Sequence, residues 1–501
     1  MEIQVNSVSL VELNTKLLIA GMFEEDNVQD CGYTWLNDTV NDGIELAMER
    51  KDFSGKANKS LFLYGNSSSQ IGRVLIIGLG KRSEFNFEKI RRCYGVAGKL
   101  TRKSLPDEVA LMVPVSGFAA EDQTGIARAA IEGFGLSSHD FNKYRTQNIE
   151  DHPDLKFIYV IPAENENPSV IEAAVNEANS TIPGTCFARD LGSMPPCELY
   201  PESFADIAKT LESDRVKIEI LDFDQIKELG MGALAAVGQG SINPPVLIHL
   251  KYDPGIKGDT KKLAVVGKGL TYDAGGFDLK TAEGLRHMKI DMCGSAAVMG
   301  LFKVIEHWSP QCRVDGFIAA AENLASSNAY KPGDILTSYK GLSIEVDNTD
   351  AEGRLTLADA LTYAEKTIKP DLIIDLATLT GAIGVALGKH ASGMFTDDDE
   401  TAKLLTESGD IVGERVWRMP VWKEYLRQIQ SQVADLKNTG GRQGGACTAA
   451  VFLKQFVDKT PHVHLDIAGT AFNVPLSYVP GDETPSGVGV RLLLEFLRRW
   501  T

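Results

Sequence analysis

Four short, nearly continuous apolar runs constrain the fold of this chain more than any other feature. They are flanked by polar or glycine-containing turns and lie at residues 263–266, 316–321, 372–376 and 463–467. Strands that are buried on both faces have this composition. Helix-like stretches at 294–307 and 355–367 lie between them. The pattern predicts an α/β fold in which helices cover a mixed, mostly parallel sheet and functional groups lie where strands end.

The first third of the chain shows the same alternation on a smaller scale. Apolar runs at 74–77, 109–113 and 157–161 accompany a helix-like stretch at 87–100. Because 501 residues exceed the length over which one core usually grows, we expect two domains. A helical pattern that breaks at Pro195, Pro196 and Pro201 indicates the boundary region. The predicted parts are a smaller N-terminal α/β domain, a helical linker and a larger C-terminal domain, at residues 1–165, 166–200 and 201–501.

Charge and composition exclude several classes of protein. A formal net charge of -17 argues against broad attraction to nucleic acid or anionic lipid and favours a small or peptidic ligand. The apolar runs are far shorter than the ~20 residues that cross a bilayer, and residues 1–23 lack the features of a secretory signal. We therefore expect a soluble, cytoplasmic protein. Seven cysteines without paired spacing predict buried free thiols, at Cys31, Cys93, Cys186, Cys197, Cys293, Cys312 and Cys447.

The segment after the first apolar run concentrates charge among glycines. Residues 267–280 carry Lys268, Asp273 and Lys280 on what reads as a glycine-rich loop at a strand end. Glycine permits close approach to an ion or substrate, although a solvated surface turn explains the segment equally well. Its spacing fits neither a P-loop nor a dinucleotide fingerprint. Asp291 follows near the start of the helix-like stretch 294–307, where capping is the common role of an aspartate.

A second polar segment is harder to explain without a ligand. Asp350 and Glu352 repel each other unless a cation intervenes, and Arg354 at a helix N-terminus opposes the helix dipole. A purely solvated loop would still tolerate this arrangement. If these two carboxylates converge with Asp273 and Asp291, two divalent ions about 3.5–4 Å apart would compensate the charge. Oxygen ligands suit Mg²⁺ or Mn²⁺, and Zn²⁺ also accepts carboxylate.

The histidines add nothing to this site. The eight histidines offer no pair at ligand spacing. His462 and His464 alternate along a probable strand, where we expect one to face the core and the other the opposite side. Neither is assigned to a metal.

These segments carry a family resemblance. The octapeptide Asn-Thr-Asp-Ala-Glu-Gly-Arg-Leu at 348–355 is very specific, and 266–269, 273–276, Lys280 and 288–294 support it. Together they resemble the leucyl aminopeptidase family, the cytosol aminopeptidases. The resemblance runs from about Arg189 to the C-terminus, and the first domain is compatible with the variable N-terminal domain of that family. It identifies residues 201–501 as the expected catalytic domain.

The resemblance implies a metal-dependent aminopeptidase that releases leucine-like residues from the N-terminus of peptides. One ion, Mn²⁺ or Zn²⁺ with Mg²⁺ also possible, would be held by Lys268, Asp273, Asp291 and Glu352, and the other by Asp273, Asp350 and Glu352. An ion pair between Lys268 and Asp273 is the alternative for that lysine. Lys280 would stabilise an oxyanion and Arg354 would hold bicarbonate.

The resemblance also implies a substrate pocket and an assembly. The pocket would be formed by Met288, Thr378, Leu379 and Gly381, although filling the core is the ordinary role of a methionine. Family members are homohexamers, built as dimers of trimers, so the same assembly is expected here. Asn348 and Gly353 are interpreted as structural residues.

Three other functions fit parts of the sequence. A two-metal phosphoesterase also clusters carboxylates, but the octapeptide does not support it. A binding module that has lost its chemistry is disfavoured because all seven expected site positions carry the required residue type. Binding of nucleic acid by the N-terminal domain is disfavoured by the acidic total.

Overall fold

The computed structural model describes residues 1–6, 12–29, 33–102, 106–113, 115, 117–147, 155–162, 167–258, 260–481 and 483–500. The chain forms two compact units. The first is Met1–Ile182 with Ile411–Gly413 and Pro475–Gly481, and the second is Pro183–Asp410 with Glu414–Val474 and Asp482–Thr501. The expected domain limits stay a prediction, and the first of them, between residues 165 and 166, lies outside the described residues.

The first unit is built on a six-stranded, mostly parallel sheet. Its strands are β1 (Glu2–Val5), β2 (Thr15–Phe23), β3 (Ser60–Tyr64), β4 (Ile71–Gly80), β5 (Glu108–Met112) and β6 (Phe157–Ile161), in the order β1-β6-β5-β2-β4-β3. Only β3 pairs antiparallel with its neighbour. The helices are α1 (Tyr33–Thr39), α2 (Gly43–Glu49), α3 (Phe87–Thr101), α4 (Ala120–Ser137) and the first part of α5 (Pro168–Ser193). The α/β fold predicted for this part of the chain is confirmed.

The second unit contains an eight-stranded mixed sheet and a small three-stranded sheet. The large sheet has the order β15-β14-β17-β13-β9-β10-β8-β7, and the small one β11-β12-β16. The strands are β7 (Val216–Leu221), β8 (Val246–Tyr252), β9 (Lys262–Asp273), β10 (Arg313–Asn323), β11 (Ile335–Thr337), β12 (Ser343–Glu345), β13 (Leu372–Ala377), β14 (Ser392–Phe395), β15 (Val416–Met419), β16 (Leu436–Lys437) and β17 (His462–Asp466). The predicted mixed, mostly parallel sheet is confirmed at its centre, where β10, β9, β13 and β17 are parallel.

Helices cover this central sheet as predicted. They are α6 (Pro201–Lys209), α7 (Phe223–Glu228), α8 (Gly232–Gly238), α9 (Ala282–His287), α10 (Cys293–Trp308), α11 (Gly353–Ile368), α12 (Gly381–Leu387), α13 (Asp399–Val412), α14 (Gly445–Lys454) and α15 (Val490–Trp500). No helix among the described residues is both long enough and apolar enough to cross a bilayer.

The central strands are buried on both faces because different helices lie against each face. Val266 and Phe317 share a hydrophobic cluster with Leu357 of α11. A Cβ atom on Gly267 would lie 2.6 Å from the Cα of Ser295 in α10. Since alternate residues of a strand point to opposite faces, α10 and α11 cover opposite sides of β9. The carboxyl ends of the parallel strands β9, β10, β13 and β17 therefore meet at one edge of a covered sheet.

Strand β9 is longer than its apolar run indicated. It continues to Asp273, so Lys268 lies inside a strand and Asp273 ends it. The expected loop is therefore wrong for residues 267–273 and right for residues 274–280, which carry Lys280. Gly267 and Gly269 do not begin a turn. They allow close packing, since a Cβ atom on Gly269 would lie 2.8 Å from the carbonyl oxygen of Ala319.

Two smaller expectations also need correction. His462 and His464 do not face opposite sides: both rings bond to Asp375, at 2.7 Å and 2.6 Å, because residues two apart in a strand share a face. Cys197 is exposed and so is not a buried thiol. Cys186 is half-buried, four other cysteines are buried as expected, and Cys31 lies outside the described residues.

Candidate functional site

A cavity of about 680 Å³ in the second unit collects the residues that the sequence singled out. All eleven line it, namely Lys268, Asp273, Lys280, Met288, Asp291, Asp350, Glu352, Arg354, Thr378, Leu379 and Gly381. They come from β9 and the loop after it, from the 3₁₀ turn before α10, from the loop before α11 and its first turn, and from the segment after β13 and the first residue of α12. The structure therefore brings together groups that are up to 113 positions apart in the chain (268 to 381). Their individual roles stay predictions.

Three carboxylates form the centre of the cavity. Asp273, Asp350 and Glu352 each offer an oxygen atom within 4.8 Å of the others. Asp273 Oδ1 accepts hydrogen bonds from the Asn323 side chain and from the Gly275 amide, both at 2.8 Å. Hydrogen bonds of this kind fix the carboxylate and leave its other oxygen to face the cluster.

Two lysines pair with separate members of the carboxylate set. Lys268 Nζ lies 2.6 Å from Asp291 Oδ2 and 2.9 Å from Glu352 Oε1. Lys280 Nζ lies 2.7 Å from Asp273 Oδ2 and also contacts Asp350. Among the described residues, the ion-pair partner of Asp273 is Lys280 and not Lys268. The alternative pairing of Lys268 with Asp273 is therefore wrong.

Asp291 does not cap the helix that follows it. The residue before α10 is Met292, which makes no side-chain cap, and Asp291 lies in a 3₁₀ helix at Met288–Met292. Its Oδ1 accepts a hydrogen bond of 2.8 Å from the Thr378 hydroxyl. Asp291 is thus held towards Lys268 and the cavity, and the capping interpretation is wrong.

Burial and mutual repulsion shift the acidities of these groups. Burial raises the pKa of Asp291 to about 8, with Glu352 and Asp273 adding to the rise and Lys268 opposing it. Burial also raises the pKa of Asp273. For Lys268, burial disfavours the ammonium, but the attraction of Asp291, Glu352 and Asp273 outweighs it and holds the pKa above its usual range. The cavity is therefore short of positive charge.

The donor set fits divalent cations. Four carboxylates face only two ammonium groups in the ion pairs described above. Glu352 Oε2 is buried and has no hydrogen-bond partner among the described residues. A buried, unpaired carboxylate oxygen is costly unless a cation completes it, and hard oxygen donors suit divalent ions.

Glycines make the close approach of these groups possible. Gly275 has a φ of +87°, and a Cβ atom on it would lie 2.9 Å from Asp350 Oδ1. A Cβ atom on Gly353 would lie 2.4 Å from Lys268 Cε. A larger residue at either position would push a charged side chain out of the cluster, which agrees with a structural role for Gly353.

Arg354 forms a second, cationic part of the cavity. Its Nη1 donates a 2.7 Å hydrogen bond to the Asn438 carbonyl, whereas its buried Nε has no partner among the described residues. Burial lowers the pKa of Arg354 to about 10, so the side chain remains a cation at neutral pH. Arg354 lies in the first turn of α11, where the helix N-terminus adds positive potential. This part of the cavity can hold a small anion.

The residues expected to form the substrate pocket divide into two kinds. Met288 is half-buried and lines the cavity, so its side chain does not simply fill the core. Leu379 and Gly381 line it as well. Thr378 also supports the charged cluster, since its hydroxyl binds Asp291 and its carbonyl accepts a 3.0 Å bond from Lys268 Nζ.

Sequence reasoning missed the residues that hold the site from behind. Asn323 is fully buried and binds both Asp273 and the Thr349 carbonyl. Asp278 accepts hydrogen bonds from the Thr349 amide and hydroxyl, at 2.7 and 3.0 Å. Asn323 could have been found from its position just after a predicted strand. The strands β10 and β9 end in register at Asn323 and Asp273, which brings the two side chains together.

Comparison with known proteins gives consistent matches over the whole chain. The model of the catalytic domain of the cytosol aminopeptidase family matches residues 186–494, and the model of its N-terminal domain matches 19–148. A probable cytosol aminopeptidase of Roseiflexus castenholzii is 40% identical over all of both chains. One of Bradyrhizobium is 43% identical over 90% of this chain and 89% of its own.

Two solved structures have the same fold as this chain over nearly its full length. A mutant of tomato leucine aminopeptidase aligns with a TM-score of 0.88 and 35% identity, over 100% of this chain and 96% of that one. The bottromycin maturation enzyme BotP in complex with Mn aligns with a TM-score of 0.85 and 30% identity, over 97% and 99%. The two-unit fold is thus shared over nearly the full length of these chains.

Proposed function

The chain belongs to the cytosol aminopeptidase family and is a metal-dependent aminopeptidase that acts on peptides; from this premise we propose that its cavity removes leucine-like residues from peptide N-termini with two divalent ions. The observation that carries the proposal is the convergence of Asp273, Asp291, Asp350 and Glu352 with two lysines in one cavity. Family membership does not favour the phosphoesterase or the inactive binding module.

We assign each ion a set of ligands. Lys268, Asp273, Asp291 and Glu352 would hold one, and Asp273, Asp350 and Glu352 the other. The excess of carboxylates and the unpaired Glu352 Oε2 support this assignment. Lys268 can serve as a ligand only after losing its proton, which a nearby dication favours. We propose Mn²⁺ or Zn²⁺, with Mg²⁺ also compatible, and a relative in complex with Mn supports the first.

When bound by these residues, divalent ions would supply Lewis acidity, which lowers the pKa of water and polarises a carbonyl group. Lys280 would then stabilise the oxyanion as the carbonyl is attacked. Three features support this role. The Lys280 side chain lines the cavity, it is 18% exposed, and it is held between Asp273 and Asp350. Burial disfavours its charge, but the pull of Asp273 and Glu352 is stronger and keeps its pKa above the usual range. The oxyanion role requires that Lys280 stay an ammonium.

Arg354 would bind bicarbonate and keep it where it can accept the proton released by the attacking water. The buried Nε supplies a donor for that anion, while the bond from Nη1 to Asn438 fixes the guanidinium plane. Arginine suits this task because its planar donors match an oxyanion with two oxygens.

The side chain of the N-terminal residue would lie against Met288, Thr378, Leu379 and Gly381. The apolar members of this set favour leucine-like residues. A pocket of this kind distinguishes one methylene by only about 1–3 kcal/mol, so related residues are also released. From the family resemblance we further propose a homohexamer, built as a dimer of trimers, and a cytoplasmic location. Light scattering of the purified protein tests the assembly.

Removal and replacement of metal tests the proposal most directly. The chain is stripped with a chelator, then supplied with Mn²⁺, Zn²⁺ or Mg²⁺ separately. Turnover is measured on leucyl amide and on p-nitrophenyl phosphate, and bound metal by mass spectrometry. We expect no turnover without metal, recovery on leucyl amide with about two ions per chain, and no phosphate release. Full turnover of the stripped protein, or activity on the phosphate ester alone, would contradict the proposal.

A further inference from the structure

One wall of the cavity is fixed from behind by a buried carboxylate that does not line it. The wall segment, residues 378–382, runs from the end of β13 into the first turn of α12, and all five of its residues line the cavity. Asp466 ends β17, has no exposed surface, and lies behind this segment. Its contacts join the wall to a second lining position, Ala468.

The hydrogen bonds of Asp466 use both carboxylate oxygens. Oδ1 accepts from the amides of Leu379 and Ala468, each at 3.2 Å, with a longer contact of 3.4 Å from the Thr380 amide. Oδ2 accepts from the Thr380 hydroxyl at 2.7 Å. That hydroxyl in turn accepts a bond from the Ile383 amide and caps the start of α12. One carboxylate therefore determines where the backbone of the wall segment lies.

The chemistry of this position requires an acceptor without a donor. Four N–H or O–H groups point at Asp466, and an ionised carboxylate accepts at both oxygens and donates at neither. Burial raises the pKa of Asp466, but His464 and the bonds from Thr380, Ala468 and Leu379 oppose the rise. His464 itself is buried and bonded to Asp375.

We propose that Asp466 is a positioning residue that sets the selectivity of the enzyme among N-terminal side chains by fixing the wall segment. The inference rests on the proposed function, because it assumes that the substrate side chain lies against Leu379 and Gly381. A pocket separates close substrates by fit, by about 10–200-fold for one methylene. Loosening the backbone of one wall reduces that separation while the ion-binding carboxylates stay in place.

The variant Asp466→Asn tests this directly. Asparagine keeps the size of the side chain but presents an N–H donor to the Thr380 hydroxyl or to the wall amides. The measurement is kcat/KM for leucyl amide divided by kcat/KM for alanyl amide, in metal-replete protein. We expect this ratio to fall about tenfold, within the range that pocket fit supplies. Turnover of alanyl amide and the bound metal per chain should stay close to those of the unchanged chain.

Asp359→Asn is the matched control. Asp359 is equally buried and accepts bonds from the amides of Ala233, Leu234 and Tyr339, but it does not line or touch the cavity wall. Its ratio should not change. The inference is overturned if Asp466→Asn keeps the selectivity ratio, or if both variants lower kcat/KM for both amides equally. Absence of leucyl amide turnover in the unchanged, metal-replete chain would instead contradict the proposed function.

A second pair of variants applies if Asp466→Asn does not fold. Thr380→Val removes the hydroxyl that binds Asp466 Oδ2 and keeps the volume, whereas Thr380→Ser keeps the hydroxyl. Because Thr380 itself lines the cavity, the two variants are compared with each other, and we expect the ratio to be about threefold lower in the valine variant than in the serine variant. Equal ratios in the two variants would overturn the role of Asp466.

Discussion

Buried charge occurs in both units of the molecule, but it is compensated in one and not in the other. In the first unit Arg91 has no exposed surface, and its guanidinium lies 2.8 Å from Glu132 and 2.9 Å from Glu88. Arg92 and Arg128 also pair with these carboxylates. In the cavity of the second unit, three buried carboxylates and one exposed carboxylate share two ammonium groups. The buried charges of the first unit are therefore neutralised by its own side chains. The cavity has an excess of negative charge that bound cations would neutralise.

The balance of buried charge separates a structural cluster from a binding site in this molecule. Both clusters contain buried acids at ion-pair distance from bases, so proximity alone does not distinguish them. A balanced network keeps its charges without help, because each carboxylate has a guanidinium beside it. A surplus of buried carboxylates is relieved when a cation enters or when one carboxylate takes up a proton, and the raised pKa of Asp291 reflects that surplus. Variants of each cluster should accordingly lose different properties.

The largest effect should follow from removing one cavity carboxylate. Glu352→Gln deletes a charge beside Lys268 and in the three-carboxylate cluster. Because each bound ion supplies several kcal/mol to the reaction, we expect kcat/KM for leucyl amide to fall by about a thousandfold or more, with weaker metal retention. Kinetics and metal analysis check both.

Glu365→Gln provides the control for that variant. Glu365 lies on the same helix, and its carboxylate accepts amide bonds from residues 458–460, outside the cavity lining. Turnover within about twofold of the unchanged chain is expected there, as for ordinary substitutions away from a site. Full activity of Glu352→Gln in saturating metal would remove the distinction between the two clusters.

The next effect concerns stability and belongs to the first unit. Arg91→Met removes the guanidinium between Glu88 and Glu132, and breaking a buried pair in this way costs about 3–5 kcal/mol of unfolding free energy. The adjacent Arg92→Met removes a partner that is 39% exposed and should cost about 1 kcal/mol or less. Urea denaturation measures both, and the folded Arg91 variant should keep its metal content. Equal unfolding free energies of the two variants would mean that the buried ion-pair network does not stabilise the first unit.

The sequence predicted which residues line the cavity better than it predicted the strands and ion pairs that surround them. Asp350, Glu352 and Arg354 stood out because two acids one residue apart, followed by a base at the helix N-terminus, are unfavourable without a ligand. The extension of β9 to Asp273 was not predictable from the apolar run, because Gly267 and Gly269 interrupt it and only pairing with β10 continues the strand. The ratio of carboxylates to lysines in the cavity could not be predicted from the sequence either, because it depends on contacts between distant segments.

Supporting residues were the least predictable. Asn323 and Asp466 are single polar residues at strand ends, where exposed turns have the same composition. Their importance appears only when neighbouring strands are in register. The shared face of His462 and His464, by contrast, followed from the two-residue period of a strand and could have been predicted correctly.

A third buried cluster, formed by Asp375, His462 and His464, should affect stability least, and its contribution should depend on pH. Asp375 binds both His462 and His464, so its charge is compensated within the fold as in the first unit. Burial opposes the imidazolium of His464, but Asp375 outweighs it and raises the pKa of His464 above 6.5. The same pairing, with His464 as the largest favourable contribution, holds the pKa of Asp375 below its usual value against the effect of burial.

These directions fix the sign of the pH dependence. The stabilisation from His464 is complete below its unfolded pKa of about 6.5 and is lost as pH rises through the higher folded value. The stabilisation from Asp375 is present above its unfolded pKa of about 3.9 and is lost at lower pH. We therefore expect the unfolding free energy of the unchanged chain to decline above about pH 6.5 relative to His464→Asn, by less than the effect of Arg91→Met. Urea denaturation at several pH values measures this, and parallel curves for the two proteins would show that the cluster carries no proton-linked stability.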